Sequence, residues 1–509
     1  MQTEIELFPQ DYLQLQELGI RAESVQNQYQ ILQQGSNYIQ LVRPCTWGSG
    51  IVHLHRQYFP IYYQYYEKAL QEQRFLKFVP ASGAASRMFD NIDKYLQQSD
   101  SIPLPENPTT DQEKELHTFC TNLHRFPFYK DLQNILQQQN LNLEIVQSQN
   151  DYRPIFQILL QILQYRTIPK ALLPFHFDKK RIYTALEDHI YEAIAYSNGC
   201  VHFTILKEKE HEYKSLEKTI REHIFHPITI TYSYQDPSTQ SIALDLTNNI
   251  PLRDEDNRLI FHPGGHGSLL QNLEETKGDI VFIKNIDNVL APTKQTMTIF
   301  YKQILAGYFL SIQDQIYKSL HSLENNPSAI KLREIYDFVT HTLNNPIVQF
   351  SHLSQQERIE QLYDKLYRPF RVCGMVRHNG EVGGGPFWTL NNHGQLSLQI
   401  VEKQQVNIND EQQKQIWQSA TYVNPVDLVC GLQDHHQKPY ELKKYIDTSQ
   451  TLISNKTYHG KDIRVIEHPG LWNGGMAQWN TIFVDTPIHI FNPVKKITDL
   501  LNPWHSSRR

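Results

Sequence analysis

Cysteine is scarce: five residues in 509 (Cys45, Cys120, Cys200, Cys373 and Cys430), odd in number and far apart. That excludes a disulfide framework and a CxxC metal site, and it fits a reducing compartment. Long apolar runs are missing as well, and no segment approaches the roughly 20 apolar residues a membrane span needs. The opening MQTEIELFPQ has neither a basic n-region nor an apolar h-region, so it does not read as a secretory signal. Charge of one sign is not in excess, with 48 Lys and Arg against 54 Asp and Glu and a formal net charge of −6. Without a Lys/Arg stripe, a nucleic-acid polymer held by phosphate neutralisation is not an expected partner. No repeat of 20–50 residues is visible. The expectation is a cytoplasmic protein without membrane association.

What is present is ample aliphatic, Tyr and Phe content for a packed core. Residues 1 to about 72 read as helical, with apolar residues near three-four spacing in DYLQLQELGI and FPIYYQYYEKALQEQ. LKFVP is the first buried-strand candidate, followed by a helix from Met88 to Gln98. A Pro/Ser/Asn-rich loop then leads into a Gln-rich helical stretch over about 111–166. From 198 the texture turns to strands (GCVHFTIL, PITITYSYQ, SIALDL, GDIVFIKNID). Helices resume over about 293–366, and a second strand block runs RPFRVCGMVR, QLSLQIVEK, NPVDLVCGL, IRVIEH and TIFVDTP. Strands separated by helices imply an α/β sheet. The expected divisions are an N-terminal helical segment over 1–75 and an α/β core over 76–300 with a helical insert near 100–166. A second helical insert would cover 301–366, and the second half of the core 367–509.

Six segments carry candidate chemistry. KFVPASGAASRMF (Lys77 to Phe89) runs from a strand through small residues into a helix start with Arg87 near it, an arrangement suited to phosphate. It matches neither GxxxxGK[ST] nor GxGxxG. FHPGGHGSLLQNLEE places Gly264, Gly265 and Gly267 in a loop before a helix beginning at Ser268. Backbone there could closely approach a planar base or a phosphate; a plain strand–helix turn is the alternative. His262 and His266 are four apart, but the intervening Pro263 and glycines forbid the helix that would make them converge on zinc. In DIVFIKNIDNVLAP, Asp287 falls just past a buried-strand pattern, where open α/β sheets bind ligands. A carboxylate there can hold Mg²⁺, and a turn or cap Asp is the alternative. Lys170 in TIPKALLPFHF and Lys495 in HIFNPVKKITDLLNP each follow a proline-bearing turn and precede a helix, so each could present an ammonium to phosphate; a surface lysine is the alternative. EVGGGPFW (Glu381 to Trp388) implies close backbone approach at Gly384, to a ligand or to a neighbouring strand.

In this order the segments resemble the nucleotidyltransferases that join a sugar 1-phosphate to a nucleoside triphosphate, in the UDP-glucose and UDP-N-acetylhexosamine pyrophosphorylase branch. ASGAASRM is similar to that family's A-G-G-x-G-T-R-[LM], with Ala81, Gly83 and Arg87 in register. Ser82 and Ala85 stand in place of glycines, and Ser86 in place of Thr. PKALLP, PGGHG and NIDN match the family's lysine, uracil-contacting and metal segments. QIVEKQQV resembles its sugar-contacting V-V-E-Y-S-E, with Glu402 in the Glu position, and FNPVKKITDLL resembles F-L-P-V-K-T-T-S-D-L-L. NPVDLVC corresponds loosely to an Asn-rich strand, which gives Asn424 a sugar contact. As a whole the chain looks most like an uncharacterised bacterial family carrying these same segments.

The resemblance implies a nucleotide-diphospho-sugar-transferase-like fold, Rossmann-like and of GT-A type, with a mixed sheet and added helices. It implies a pyrophosphorylase using Mg²⁺ or Mn²⁺, with a nucleoside triphosphate, UTP in the first instance, and a sugar 1-phosphate as substrates. Arg87, Lys170 and Lys495 would be catalytic and Asp287 the metal ligand. Ala81, Ser82, Gly83, Ala84, Pro263, Gly264, Gly265, His266 and Gly267 would bind the nucleotide, and Glu402, Asn424 and Gly384 the sugar. Ala85 implies a Cβ where a triphosphate would approach the backbone, and the insert before Lys170 is longer than the family's. A glycosyltransferase using a nucleotide sugar, or a nucleotide-sugar-binding protein without catalysis, are the other readings.

Overall fold

The computed structural model describes residues 4–35, 37–98, 103–105, 107–178, 181–378, 383–391, 394–458 and 461–505. The chain forms a mixed α/β structure in two compact units that are interleaved along the sequence. The first comprises Met1–Phe78, Ser233–Ile283 and Gln303–Ile488, and the second Val79–Tyr232, Lys284–Lys302 and His489–Arg509.

In the first unit, strands Thr46–Trp47, Gly50–Val52, Asn480–Asp485, Phe370–Arg377, Asp427–Gly431, Ile280–Lys284 and Phe75–Pro80 lie side by side in that order. The sheet is mixed: Phe370–Arg377 runs parallel to Asn480–Asp485 and antiparallel to Asp427–Gly431. Phe75–Pro80 and Ile280–Lys284 are parallel, with Phe78 opposite Ile283. FRVCGMVR and IVFIK are buried along almost their whole length, the apolar run expected of a strand covered on both faces. Their core gathers Phe78, Val281, Ile283, Cys373, Met375, Leu428, Cys430 and Phe483. An antiparallel sheet of Gln40–Pro44, Gly385–Leu390 and Leu396–Val401 sits in the same unit.

The stretch expected to be wholly helical before residue 75 therefore contains strands between Gln40 and Val52. Pro44, Gly48 and Gly50 break any helix there, and Gln40–Pro44 and Gly50–Val52 pair with strands more than 300 residues away in the chain. Helices Pro9–Leu18, Ala22–Gln34 and Phe59–Gln71 fill the rest of that region.

In the second unit, strand Cys200–Ile205 neighbours Thr229–Tyr234, and helix Ala185–Tyr196 is capped by Thr184, whose hydroxyl accepts from the Glu187 N–H. The helical insert does pack: Phe119, Phe126, Phe128 and Phe156 share one core with Val79, Ala81, Ala85, Met88 and Phe89. The C-terminal segment is tied down by fully buried histidine chemistry. His176 Nδ1 lies 2.6 Å from Asp188 Oδ2, and its Nε2 lies 2.7 Å from His505 Nδ1. Burial pushes His176 down to about 3, so this is a neutral imidazole in a structural clamp. Among the described residues no helix is long and apolar enough to cross a membrane.

Candidate functional site

The candidate residues fall into two sets, one in each unit. In the second unit the pattern strand, small-residue turn, short helix holds as expected. Strand Phe75–Pro80 hands over to Ala81, whose N–H donates to the Thr204 carbonyl at 2.9 Å and whose carbonyl accepts from the Tyr213 hydroxyl at 2.7 Å. A 3-10 turn, Ser86–Phe89, then leads into helix Asp90–Leu96. The loop between is zipped to the lysine segment: Ala85 N–H donates to Ile168 O at 3.2 Å, and Lys170 N–H to Gly83 O at 3.0 Å. Two segments separated by the long insert are thereby fixed as one platform. The N–H groups of Ser82, Gly83 and Ala84 have no acceptor among the described residues, and Gly83 has open space around it. Three free donors on a small-residue turn make an anion cradle.

Lys170 is buried (9% exposed), and so is Asp287 (7%). Asp287 follows the buried strand Ile280–Lys284 after a turn in which the Asn288 N–H donates to Asn285 O at 3.2 Å. Its Oδ2 accepts from Lys170 Nζ at 3.1 Å and from Lys495 Nζ at 2.9 Å. Lys170 also donates to Val494 O at 2.9 Å. Lys495 is aimed by its own turn, since Asp499 Oδ2 accepts from the N–H groups of both Lys495 and Lys496 at 2.7 Å. The Asn288–Pro493 bridge and the Val494 N–H to Asp287 O bond, 2.9 Å, hold the two segments together.

Burial alone would push the Asp287 carboxyl up, but Lys495 and Lys170 overcome it and hold the group below the usual carboxylate range. Lys170 moves down: burial, joined by repulsion from Lys495 and Arg87, outweighs the attraction of Asp287. Two lysines share one buried carboxylate and Arg87 adds to the positive field at Lys170, so the cluster carries excess positive charge, which a phosphate would neutralise. Arg87 itself is exposed, and its guanidinium has no hydrogen-bond partner among the described residues. Asp287 Oδ1 is buried without a partner. An orphaned hard oxygen suits Mg²⁺ or Mn²⁺, ions that take one or two protein carboxylates and complete their shell with water and phosphate.

Ala85 proves to face elsewhere than its alignment with a glycine suggested. It is fully buried, and its methyl group belongs to the core under the loop. Its Cβ is directed inward, and the exposed turn residues are Gly83 and Ala84.

In the first unit the sugar-side candidates also come together. Asn424 N–H donates to Gly384 O at 2.8 Å, and a Cβ on Gly384 would sit 3.3 Å from Glu402 Cγ. Gly384 is small because strand Leu396–Val401 passes close beside it; Glu381 and Val382, earlier in the same segment, lie outside the described residues. Asn424 spends Oδ1 on the Val426 N–H at 3.0 Å. Val426 has φ 54°, a left-handed conformation that a β-branched residue rarely adopts. Glu402 lies 3.4 Å from His266 Nε2. Burial raises this carboxyl, and the His266 contact more than reverses it, leaving it below the ordinary glutamate range. His266 Nδ1 accepts from the Leu471 N–H at 3.0 Å, so the ring proton sits on Nε2 and points to Glu402. The same ring is stacked on Trp472, 4.0 Å between centroids and 12° from parallel.

The PGGHG glycines answer first to packing within the chain. A Cβ on Gly264 would lie 2.4 Å from Thr239 O and from His468 Cδ2, and one on Gly267 would lie 2.4 Å from Pro469 O. Gly265 has φ 73° and abuts Glu467. Pro263 is exposed at the head of the loop. Sequence reasoning missed the second wall of this loop, His468-Pro469-Gly470 with Trp472. The available signal was the repeated H-P-G, first at His262 and again at His468. His262 and His266 do not pair on a metal: His266 uses both nitrogens as described, and His262 Nδ1 lies 2.9 Å from Pro263 O. Asp427 begins strand Asp427–Gly431 and Asp485 ends strand Asn480–Asp485; both lie in the first unit, and Asp485 faces His53 at 3.4 Å.

The chain belongs to the family described as Domain of unknown function (DUF4301), which matches residues 9–506. None of the curated proteins matches it. Among solved structures it is similar to the uridine diphosphate N-acetylglucosamine pyrophosphorylase of Trypanosoma brucei, at 11% identity and a TM-score of 0.44. That likeness covers 87% of this chain and 65% of the other, so this chain spans less than two thirds of that enzyme's length. It is also similar to a point mutant of the UDP-glucose pyrophosphorylase of Leishmania major in complex with UDP-glucose. Identity there is 11%, coverage 97% of this chain and 79% of the other, and the TM-score 0.43.

Proposed function

We propose that the protein is a sugar-1-phosphate nucleotidyltransferase that joins a nucleoside triphosphate, UTP in the first instance, to a sugar 1-phosphate and releases pyrophosphate. The observation that carries the reading is the convergence of Lys170 and Lys495 on the buried Asp287, with Arg87 adding its field at Lys170. Excess positive charge around a single carboxylate, beside a turn with free N–H donors, is what a triphosphate and a phosphate monoester both require.

In this reading an oxygen of the sugar phosphate attacks the α-phosphorus in line, the bond to the β-phosphate oxygen breaks, and pyrophosphate leaves. The attacking group is already anionic near neutral pH, so no general base is needed, and the protein's work is positioning and charge neutralisation. Lys170 and Lys495 exchange Asp287 for phosphate oxygens and stabilise the charge that builds on them. Arg87, free of protein partners, takes the departing phosphates with its planar fork, aided by the N–H groups of Ser82, Gly83 and Ala84. Asp287 would hold Mg²⁺ or Mn²⁺ through its free Oδ1, and the ion when bound would lower repulsion between phosphate oxygens. His266 and the loop Pro263, Gly264, Gly265 and Gly267 hold the base, and Glu402, Asn424 and Gly384 the sugar. Glu402 kept ionised accepts from sugar hydroxyls.

The test is pyrophosphate release from the full chain with Mg²⁺, a panel of nucleoside triphosphates and a panel of sugar 1-phosphates. Activity with one pair, abolished by Asp287→Ala, supports the reading. No pyrophosphate from any pair, with nucleotides still raising the melting temperature, would make it a binding protein instead. Consumption of a nucleotide sugar only when an acceptor is added would make it a glycosyltransferase.

A further inference from the structure

Independently of that reading, a cluster in the first unit brings together three imidazoles and a carboxylate that no part of the proposed chemistry uses. His321 and Glu324 lie three apart on the last turn of helix Thr296–Glu324 and so share a face. His435 and His436 lie on the tight loop that follows strand Asp427–Gly431. One ligating atom from each of His321, His435 and His436 lies within 4.8 Å of those of the other two. Glu324 touches all three rings: Oε1 is 2.7 Å from His435 Nε2 and 3.1 Å from His436 Nε2, and Oε2 is 3.5 Å from His321 Nδ1.

The loop is built to present these rings. Asp434 Oδ1 accepts from the N–H groups of His436 at 2.8 Å and Lys438 at 2.9 Å, and Asp434 Oδ2 accepts from the Tyr367 hydroxyl at 3.0 Å. The Tyr317 hydroxyl donates to Gln433 O at 2.6 Å. The His435 side chain is fully buried, and its Nδ1 has no partner. His321 and His436 are about half exposed, at 51% and 48%, which leaves an approach from solvent. His435 and His436 are packed with ring centroids 4.0 Å apart, and His321 is 4.9 Å from His435.

Hydrogen bonding to Glu324 can account for one or two of these rings, but it gives no reason for three to crowd one carboxylate. A cation does. Donors about 2.0–2.1 Å from one ion in a tetrahedron stand about 3.3 Å apart, and the Glu324 contacts already bracket that spacing. Three neutral nitrogens and one carboxylate oxygen suit a late first-row ion and not Mg²⁺, which demands oxygen ligands. We infer that His321, His435, His436 and Glu324 form a binding site for a late first-row divalent cation, zinc foremost, that staples the end of the long helix to the 433–439 loop.

The site is tested on the full chain, stripped with a chelator and titrated calorimetrically with ZnCl₂, with melting temperatures followed in parallel. The expected result is one saturable zinc per chain and a rise in melting temperature with zinc that Mg²⁺ does not give. A His321→Ala/His436→Ala double variant should lose at least a hundredfold in zinc affinity, together with the thermal shift. Glu324→Gln, which removes the anionic oxygen from the donor set, should lose at least tenfold in zinc affinity. The two histidines are half exposed, so the metal-free melting temperature of the double variant should match that of the wild type. Glu324→Gln gives a separate reading should the double variant fail to fold. Zinc binding unchanged in both variants, or the absence of a saturable site in the wild type, would overturn the inference.

Discussion

At the scale of single residues, Lys170 and Ala85 separate chemistry from architecture. Lys170 is a buried ammonium whose pKa lies below that of an ordinary lysine, mainly through burial. Replacing it by an apolar residue of similar length removes the cost of burying that charge but leaves Asp287 with Lys495 as its remaining ammonium partner. With the two effects opposed, Lys170→Met should change the melting temperature by only a few degrees while pyrophosphate release falls by about a hundredfold or more. Thermal unfolding and a pyrophosphate assay on one preparation check this; a large loss of stability would mean the lysine serves the fold instead. Ala85 is the opposite case. Its methyl is in the core, so Ala85→Gly should not raise activity and should cost about 1 kcal/mol, from the extra freedom of glycine and the lost methyl contact. Urea unfolding measures that cost, and a gain in activity would show that the methyl does face the ligand.

At the scale of elements, the two glycine turns look alike in sequence and differ in what constrains them. Gly83 has nothing within 4 Å of an added Cβ, whereas Gly264 would place one 2.4 Å from a backbone carbonyl. Gly83→Ala should fold with wild-type stability. Gly264→Ala should lose about 2 kcal/mol or more, because neither Thr239 O nor His468 can move aside freely. Denaturant midpoints of the two variants decide this, and equal midpoints would refute the packing account of the PGGHG loop. Strand and turn positions around Ala81, Lys170 and Asp287 were legible because each depends on a local pattern, an apolar run followed by Pro, Gly or Asx. The strands between Gln40 and Val52 were not. They are short, and their pairing with Gly385–Leu390 and Asn480–Asp485 is a contact across most of the chain. The histidine cluster was hidden for the same reason, since more than a hundred residues separate His321 from His435. The direction of the Ala85 methyl could not be read from an alignment, which gives position along the chain and not which side is packed.

At the scale of the whole molecule, composition fixed what could be excluded, and charge placement governs what can be tested. The five cysteines are all unpaired, four of them buried. Stability then depends on carboxylates that the fold makes more acidic. Asp11 is paired with Arg253 at 2.8 Å, Glu467 with Lys456 at 2.8 Å, and Asp287 sits between its two lysines. All three, with Glu402 and Asp434, lie below their ordinary values in the folded chain, despite burial acting the other way. A group whose folded pKa is depressed contributes stability that is complete above its unfolded value and is lost as pH falls through the folded one. The melting temperature should therefore begin to fall below about pH 6.5, where the unfolded chain protonates imidazoles that the fold keeps neutral, His176, His202 and His505, and fall more steeply below about pH 4, where unfolded carboxylates take up protons. Asp287→Asn isolates one share of that fall. Two lysines lose their carboxylate, so at pH 7 the variant should be about 3 kcal/mol less stable. It has no proton to take up at that position, so its melting temperature should decline less with acid, and the two curves should converge toward pH 3. Melting temperatures at matched ionic strength from pH 7 to 3 make the comparison. Curves that stay parallel would mean that the Asp287 carboxylate is no more acidic in the fold than in the unfolded chain, and that the lysines are held by something else.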